Sequence, residues 1–424
     1  MAGGEAEGRG VRYWTSDNGE TRLEIHQGDA LAVLRTLPSE SVHCCVTSPP
    51  YFGLRAYLPT GHPDKPLEVG LEDSLEEYVA RLVSIFAEVK RVLRKDGTCW
   101  VNLGDSYNTA NSGRPNGIGS AYGHGTDKPG HDRPCRQATA VKRSLCGLKP
   151  KDLCGVPWRV AFALQADGWY LRSDVIWSKL NPMPESVTDR PTKAHEYLFL
   201  LAKSDRYFYD AEAVREPHQD PRVVDGHYPN TQGFRSGGKG IVMKDRDYNP
   251  GGRNRRTVWT IATEAFPEAH FATFPTALVE PCIKAGTSEK GCCPKCGAPW
   301  VRIVEKQTAF AGGSGAAGRD PDEINASGKW QASALRGNHN LKAGPVVTTT
   351  TQGWRQSCSC DCAPPAPCIV MDPFGGSGTV PLVAQRLGRS SIMVDLNPDY
   401  CGLAQRRCEA EHKQMRLAFR EEVV

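Results

Sequence analysis

A chain of 424 residues is long enough for one large domain or two ordinary ones with a substantial core. With 39% hydrophobic residues, a mean hydropathy of -0.46 and no apolar run near the roughly 18 residues of a membrane span, it reads as a soluble protein. A formal charge of +4 is too small to imply a nucleic-acid partner. The 16 cysteines, behind a small-residue start without a signal-peptide core, point to a reducing, cytoplasmic setting rather than a disulfide scaffold.

The stretch from Thr21 to Tyr51 reads as strand, Gly28-Asp29 turn, short helix, Pro38-Ser39 turn and a second strand, a βαβ pattern. That second strand must end near Thr47, because Pro49 and Pro50 cannot donate to a sheet. Cys44 and Cys45 within it are expected to be small buried residues. Leu75, Tyr78, Val79, Leu82, Phe86, Val89 and Leu93 then recur at helical spacing, with Asp73 or Ser74 as cap and Gly97 as the expected stop. TCWVNLGDSY follows as a strand. Residues 108–149 are polar and rich in Gly, Asn, Pro and His, as an inserted loop would be. Further helix and strand patterns run from Gly155 to Lys179, and ordered structure resumes from His195. A second polar insertion spans about 215–256, where Arg235–Arg256 holds seven Lys/Arg against two Asp. A third, rich in Gly, Ala, Ser and Thr, spans about 308–353.

The final segment is the clearest. CIVMDPFGGSGT reads as strand and glycine loop leading into a helix, and the next strand ends at Asp395. Such a loop lets a ligand approach the backbone, the helix start favours an anionic group, and an acid at the second strand end accepts from ribose hydroxyls. There is no GKS or GKT, and Pro381 stands where a dinucleotide loop needs its third glycine. A nucleoside ligand without a pyrophosphate fits these residues better.

DPFGGSGT with VDLN resembles the S-adenosylmethionine site of amino-methylating DNA methyltransferases, and TSPPY resembles their catalytic tetrapeptide. The catalytic motif precedes the cofactor motif, which resembles the permuted beta class. The resemblance implies a doubly wound mixed α/β sheet, a methyl donor bound by Asp372, Pro373, Phe374, Gly376, Gly378, Thr379 and the ribose acid Asp395, and a pocket completed by Asp29, Phe274 and Pro275. Gly375 stands where this family commonly has alanine, a conservative departure.

An exocyclic amine is a poor nucleophile because its lone pair is delocalised into the base. Acceptors that bind its hydrogens and hold it in line with a methyl-sulfonium would suffice. The Ser48 hydroxyl and the Pro49 carbonyl are such acceptors, Pro50 stiffens the loop, and Tyr51 offers a stacking face for a flipped base. By resemblance, serine in the first position favours cytosine N4; adenine N6 stays open.

Cys293 and Cys296 form a C-P-x-C-G knuckle, and Cys358, Cys360 and Cys362 lie in CSCDC. Four thiolates would make a closed, structural zinc site. The resemblance prefers Cys293, Cys296, Cys358 and Cys360, with Cys292 and Cys362 as substitutes.

The expected division is a catalytic half of the core at 11–107, an insertion at 108–149, core again at 150–214, a target-recognition region at 215–257, a cofactor-pocket segment at 258–290, the zinc knuckle with its insertion at 291–363, and the cofactor-binding half at 364–424. Double-stranded DNA is the expected partner, bound through the polar insertions, and a cognate restriction endonuclease is a candidate second partner. An RNA or small-molecule amine methyltransferase and a non-catalytic DNA-binding module are the rival readings.

Overall fold

The computed structural model describes residues 11–15, 21–108, 148–217, 252–264, 274–310, 345–361 and 364–421. The interiors of the two candidate recognition stretches, most of the third insertion and Cys362 lie outside them. The chain divides into two units. The larger comprises 1–213, 256–301 and 356–424, the smaller 214–255 and 302–355.

In the larger unit nine strands form one sheet. In chain order they are β1 (Val11–Thr15), β2 (Arg22–Gln27), β3 (Val42–Thr47), β4 (Leu93–Leu103), β5 (Tyr170–Lys179), β6 (His195–Ala202), β7 (Val258–Ile261), then Ile369–Asp372 and Ser390–Asp395, which follow the two strands of the smaller unit and are numbered β10 and β11. The smaller unit holds β8 (Val301–Phe310) and β9 (Pro345–Arg355) as a two-stranded sheet. Spatial order in the large sheet is β1-β2-β11-β10-β3-β4-β6-β5-β7. The run β2-β11-β10-β3-β4 is parallel, β6 is antiparallel to both neighbours, and β1 pairs antiparallel at the edge.

Among the described residues the α-helices are α1 (Ala30–Thr36), α2 (Leu75–Val92), α3 (Val156–Ala166), α4 (Thr276–Gly286), α5 (Thr379–Arg386) and α6 (Pro398–Glu421). α1, α2 and α3 pack together, as do α4, α5 and α6. β3 shows why both faces need cover: every residue of VHCCVT is buried, as expected for a central parallel strand. Successive side chains alternate faces. Cys45 joins the core with α1, α2 and α3, while the Cys44 thiol donates to the Cys282 carbonyl of α4 at 3.9 Å.

α2 forms where the periodicity places it. Ser74 caps it, its Oγ accepting from the Glu77 amide at 3.1 Å, and Tyr78, Leu82, Phe86 and Val89 are fully buried. Burying such a side chain contributes about 1.5–3 kcal/mol. The helix does not reach Gly97, however. It ends at Val92, and β4 begins at Leu93, which pairs with Val42 of β3. Cross-strand pairing takes over four residues before the glycine, which sits inside the strand. The third insertion is also narrower than expected at its margins. The β-branched run Val346–Thr351 belongs to β9, in keeping with the strand preference of such residues.

Among the described residues no helix is long and apolar enough to cross a membrane, and none of the described cysteines is in a disulfide.

Candidate active site

β3 and β10 lie side by side, with Val370 opposite Cys44 and Met371 opposite Cys45. Their carboxyl ends therefore emerge together, although Thr47 and Asp372 are 325 residues apart in sequence. The Thr47 hydroxyl donates to Asp372 Oδ1 at 2.7 Å, and the Phe374 amide donates to the same oxygen at 3.0 Å. Asp372 Oδ2 is buried without a hydrogen-bond partner. Burial pushes this carboxyl up to about 7.

At the end of β11, Asp395 accepts from the Gly376 amide through Oδ2 and from the Asn397 amide through Oδ1, both at 2.8 Å. It thereby ties the glycine loop to the start of α6. Its carboxyl is pushed up to about 6, again by burial. Gly378 caps α5 in the left-handed region (φ 76°), and a Cβ there would strike the backbone and Cβ of Ala404. At Gly375 the space an alanine methyl would need is filled by Met393. The glycine and the methionine thus exchange volume, so the departure at Gly375 is tied to a neighbour. Pro381 falls in the first turn of α5, where a missing N–H costs no helical bond.

A cavity of about 800 Å³ opens where these strand ends meet, within the size range of small-molecule sites. Ser48, Pro49, Pro50 and Tyr51 line it from β3. Pro373, Phe374, Gly376, Thr379 and Asp395 line it from the glycine loop and β11, and Asp29 and Phe274 complete it. Asp29 also caps α1, accepting from the Ala32 amide at 2.9 Å. Three expected ligand residues stand behind the wall. Asp372 is fully buried, Gly378 turns the loop, and Pro275 starts α4.

The proline loop is held from several sides. The Pro50 carbonyl accepts from the Tyr78 hydroxyl of α2 at 2.9 Å. The Tyr51 hydroxyl donates to Glu196 Oε2 at 2.7 Å, and Asn102 Oδ1 lies 3.0 Å from that hydroxyl and 3.3 Å from the Ser48 hydroxyl. Lys179 donates to Glu196 Oε1 at 2.6 Å, with its ammonium 4.7 Å from the Trp177 ring centre. Burial, followed by the Glu196 charge, pushes the Tyr51 phenol well above its usual range. Asn102, Lys179 and Glu196 are absent from the sequence-based site. A polar residue at the carboxyl end of each apolar strand pattern, VN in β4 and WSK in β5, was the available signal.

Away from the cavity, the thiols of Cys293, Cys296, Cys358 and Cys360 come within 4.8 Å of one another. Arg94 donates to the Cys296 carbonyl at 2.6 Å. His43, on β3, shares a 2.9 Å hydrogen bond with the Gly297 carbonyl of the knuckle, and its Nδ1 accepts from the Ile369 amide of β10 at 3.0 Å. Both ring nitrogens of His43 are thus engaged, although it lies near a second group, Cys292 and Cys368. Cys292 belongs to that group and not to the four-thiol cluster.

A mostly parallel α/β sheet with two reversed strands, β1 and β6, a glycine loop, an acid on the adjacent strand end and a polar proline loop facing the same cavity is the arrangement expected of an S-adenosylmethionine-dependent methyltransferase. Comparison narrows the class. A family model described as DNA methylase, covering N6 and N4 enzymes, matches residues 42–293 and 367–406. Type II methyltransferase M.Cfr9I of Citrobacter freundii is 39% identical over 394 residues, covering 93% of this chain and 89% of that protein. M.XycI of Xanthomonas campestris pv. cyanopsidis is 37% identical over 391 residues, 92% of this chain and 89% of that protein. The solved PvuII DNA methyltransferase, described as cytosine-N4-specific, aligns at 16% identity with a TM-score of 0.47, over 91% of this chain and 86% of that one. The chain belongs to the amino-methylating DNA methyltransferases of the N4/N6 family, and its methyl donor is S-adenosylmethionine.

Proposed function

We propose that this enzyme methylates cytosine N4 within a specific site of double-stranded DNA, as the modification partner of a restriction endonuclease. The observation that carries the reading is the Thr47–Asp372 hydrogen bond of 2.7 Å, which joins the SPPY and glycine loops at neighbouring strand ends around one cavity. Ser48 in the first position, a neutral acceptor rather than a carboxylate, supports cytosine over adenine by family resemblance. Expression in a bacterial host followed by long-read mapping of modified bases tests this. One sequence context carrying N4-methylcytosine is expected; N6-methyladenine instead would reverse the choice of base.

The residues present fit the methyl donor. Asp395, which lines the cavity, suits its ribose hydroxyls, and the buried Asp372, whose Oδ2 has no hydrogen-bond partner, places negative charge behind the glycine loop on the side of the donor's cationic methionine end. When bound, the donor supplies a methyl group activated by a sulfonium. Ser48 and the Pro49 carbonyl then accept hydrogens of the target amine and draw its lone pair out of the ring, while Tyr51 supports the base. Lys and Arg of the two polar insertions would contact phosphates.

Cofactor affinity should depend on pH in a defined direction. Burial holds protons on Asp372 up to about 7 and on Asp395 up to about 6, whereas only the ionised carboxylates attract a cation and accept fully from hydroxyls. Affinity should therefore rise as pH climbs through 6 to 7 and level off above, with proton release on binding inside that window. Calorimetry in buffers of different ionisation enthalpy from pH 5.5 to 8.5 measures both; an affinity that falls across this range contradicts the assignment.

The four-thiol cluster is proposed as a structural zinc site of Cys293, Cys296, Cys358 and Cys360, closed to substrate because all four positions are protein ligands. Metal analysis of purified protein should find one zinc per chain, and Cys296→Ser should lose it. Protein without stoichiometric zinc removes the idea.

A further inference from the structure

We propose that Glu196 is the outlet for the proton that the target amine loses, reached through the hydroxyls of Ser48 and Tyr51. The inference rests on the reading of Ser48 as the amine's acceptor and assigns the next step. With the Tyr51 hydrogen given to Glu196 Oε2 at 2.7 Å, the single Ser48 hydrogen has two acceptors within reach, Asn102 Oδ1 at 3.3 Å and Tyr51 Oη at 3.4 Å, and turned to Tyr51 it completes a directed chain. Apo-state hydrogen bonds at active sites are often long and tighten when substrate is bound. Asn102 keeps the chain aligned. Its Nδ2 donates to the Tyr197 carbonyl at 3.1 Å, which turns Oδ1 toward both hydroxyls. Lys179 occupies Glu196 Oε1 at 2.6 Å, leaving Oε2 to face Tyr51. Gly104 makes room for the Tyr51 ring, since any Cβ there would collide with it.

Because the Tyr51 phenol is held well above its usual range, it rests protonated and passes a proton on only as it receives one. The step balances as follows. The amine nitrogen bonds the methyl carbon as the donor's carbon–sulfur bond breaks, leaving its electron pair on sulfur. One amine proton moves to Ser48 Oγ, the Ser48 hydroxyl proton moves to Tyr51, and the Tyr51 proton moves to Glu196. Both hydroxyls end as they began, the methylated amine is neutral and Glu196 is a carboxylic acid. Glu196 and Lys179 line the cavity, so the proton leaves to solvent when the products do.

Glu196→Gln keeps the shape and an acceptor oxygen but removes the base. On plasmid DNA carrying the mapped site, its single-turnover methyl transfer should be about 100-fold slower, the scale of general-base assistance, with cofactor affinity unchanged. Glu196→Ala should recover rate with added formate and more with the stronger base acetate, but not with chloride. A merely structural role would show no dependence on carboxylate basicity. Wild-type rate in Glu196→Gln, or a slow Glu196→Ala that no carboxylate rescues, overturns the relay and leaves the methyltransferase assignment standing. An active Ser48→Ala would instead overturn the underlying grip.

Discussion

Ser48→Ala is expected to slow methyl transfer to DNA by about 100-fold or more, the scale seen when a preorganised hydrogen-bond partner of a reacting group is removed. Cofactor affinity should change by less than about threefold, about 0.65 kcal/mol and so no more than one weak hydrogen bond. The two effects separate because Ser48 bonds to Asn102 and faces Tyr51, not the glycine loop. Its removal leaves Asp372 with Thr47 and Phe374, and Asp395 with Gly376 and Asn397. Single-turnover transfer and equilibrium cofactor binding, measured on the same preparation, check both halves. Transfer at the wild-type rate would remove Ser48 from the chemistry.

Asp395→Ala should have the opposite signature. The carboxylate fastens the glycine loop through the Gly376 amide and the α6 start through the Asn397 amide, and it is also the proposed ribose acceptor. Hydrogen bonds to a charged group contribute roughly 1.5–3 kcal/mol each, so losing two toward the cofactor weakens binding by about 100-fold or more. Asp395→Asn, which keeps an acceptor oxygen, should lose less. Because the alanine variant also frees two backbone amides, thermal unfolding of cofactor-free protein provides a control. A folded Asp395→Ala that binds cofactor normally would displace the ribose site from β11.

Much of this site is legible in the residues because its local chemistry is local in sequence. The prolines that end β3, the glycines that turn into α5, the acid at the end of β11 and the Ser74 cap each act within a few residues of themselves. What periodicity reports is burial, not the partner that supplies it. VHCCVT reads as a strand covered on both faces, but nothing in it says that CIVMD lies alongside, and that pairing makes two motif loops into one site. Asn102, Lys179 and Glu196 were hidden for the same reason. Each ends or begins an ordinary strand pattern and acquires meaning only when β4, β5 and β6 are set beside β3. Gly97 misled because a glycine after a helical stripe commonly stops a helix, whereas here pairing of Leu93 with Val42 had already begun a strand. The cysteines show an intermediate case. Spacing identified each pair, and only the fold brings the four thiols together.

The central claim is that the proline and glycine loops form a single methyl-transfer site for an amine of DNA. Duplex DNA incubated with enzyme and methyl-labelled S-adenosylmethionine, then digested to nucleosides and resolved by mass spectrometry, tests it most directly. Label in N4-methylcytosine is the predicted result. Label that never enters the DNA, with cofactor bound and enzyme folded, would contradict it.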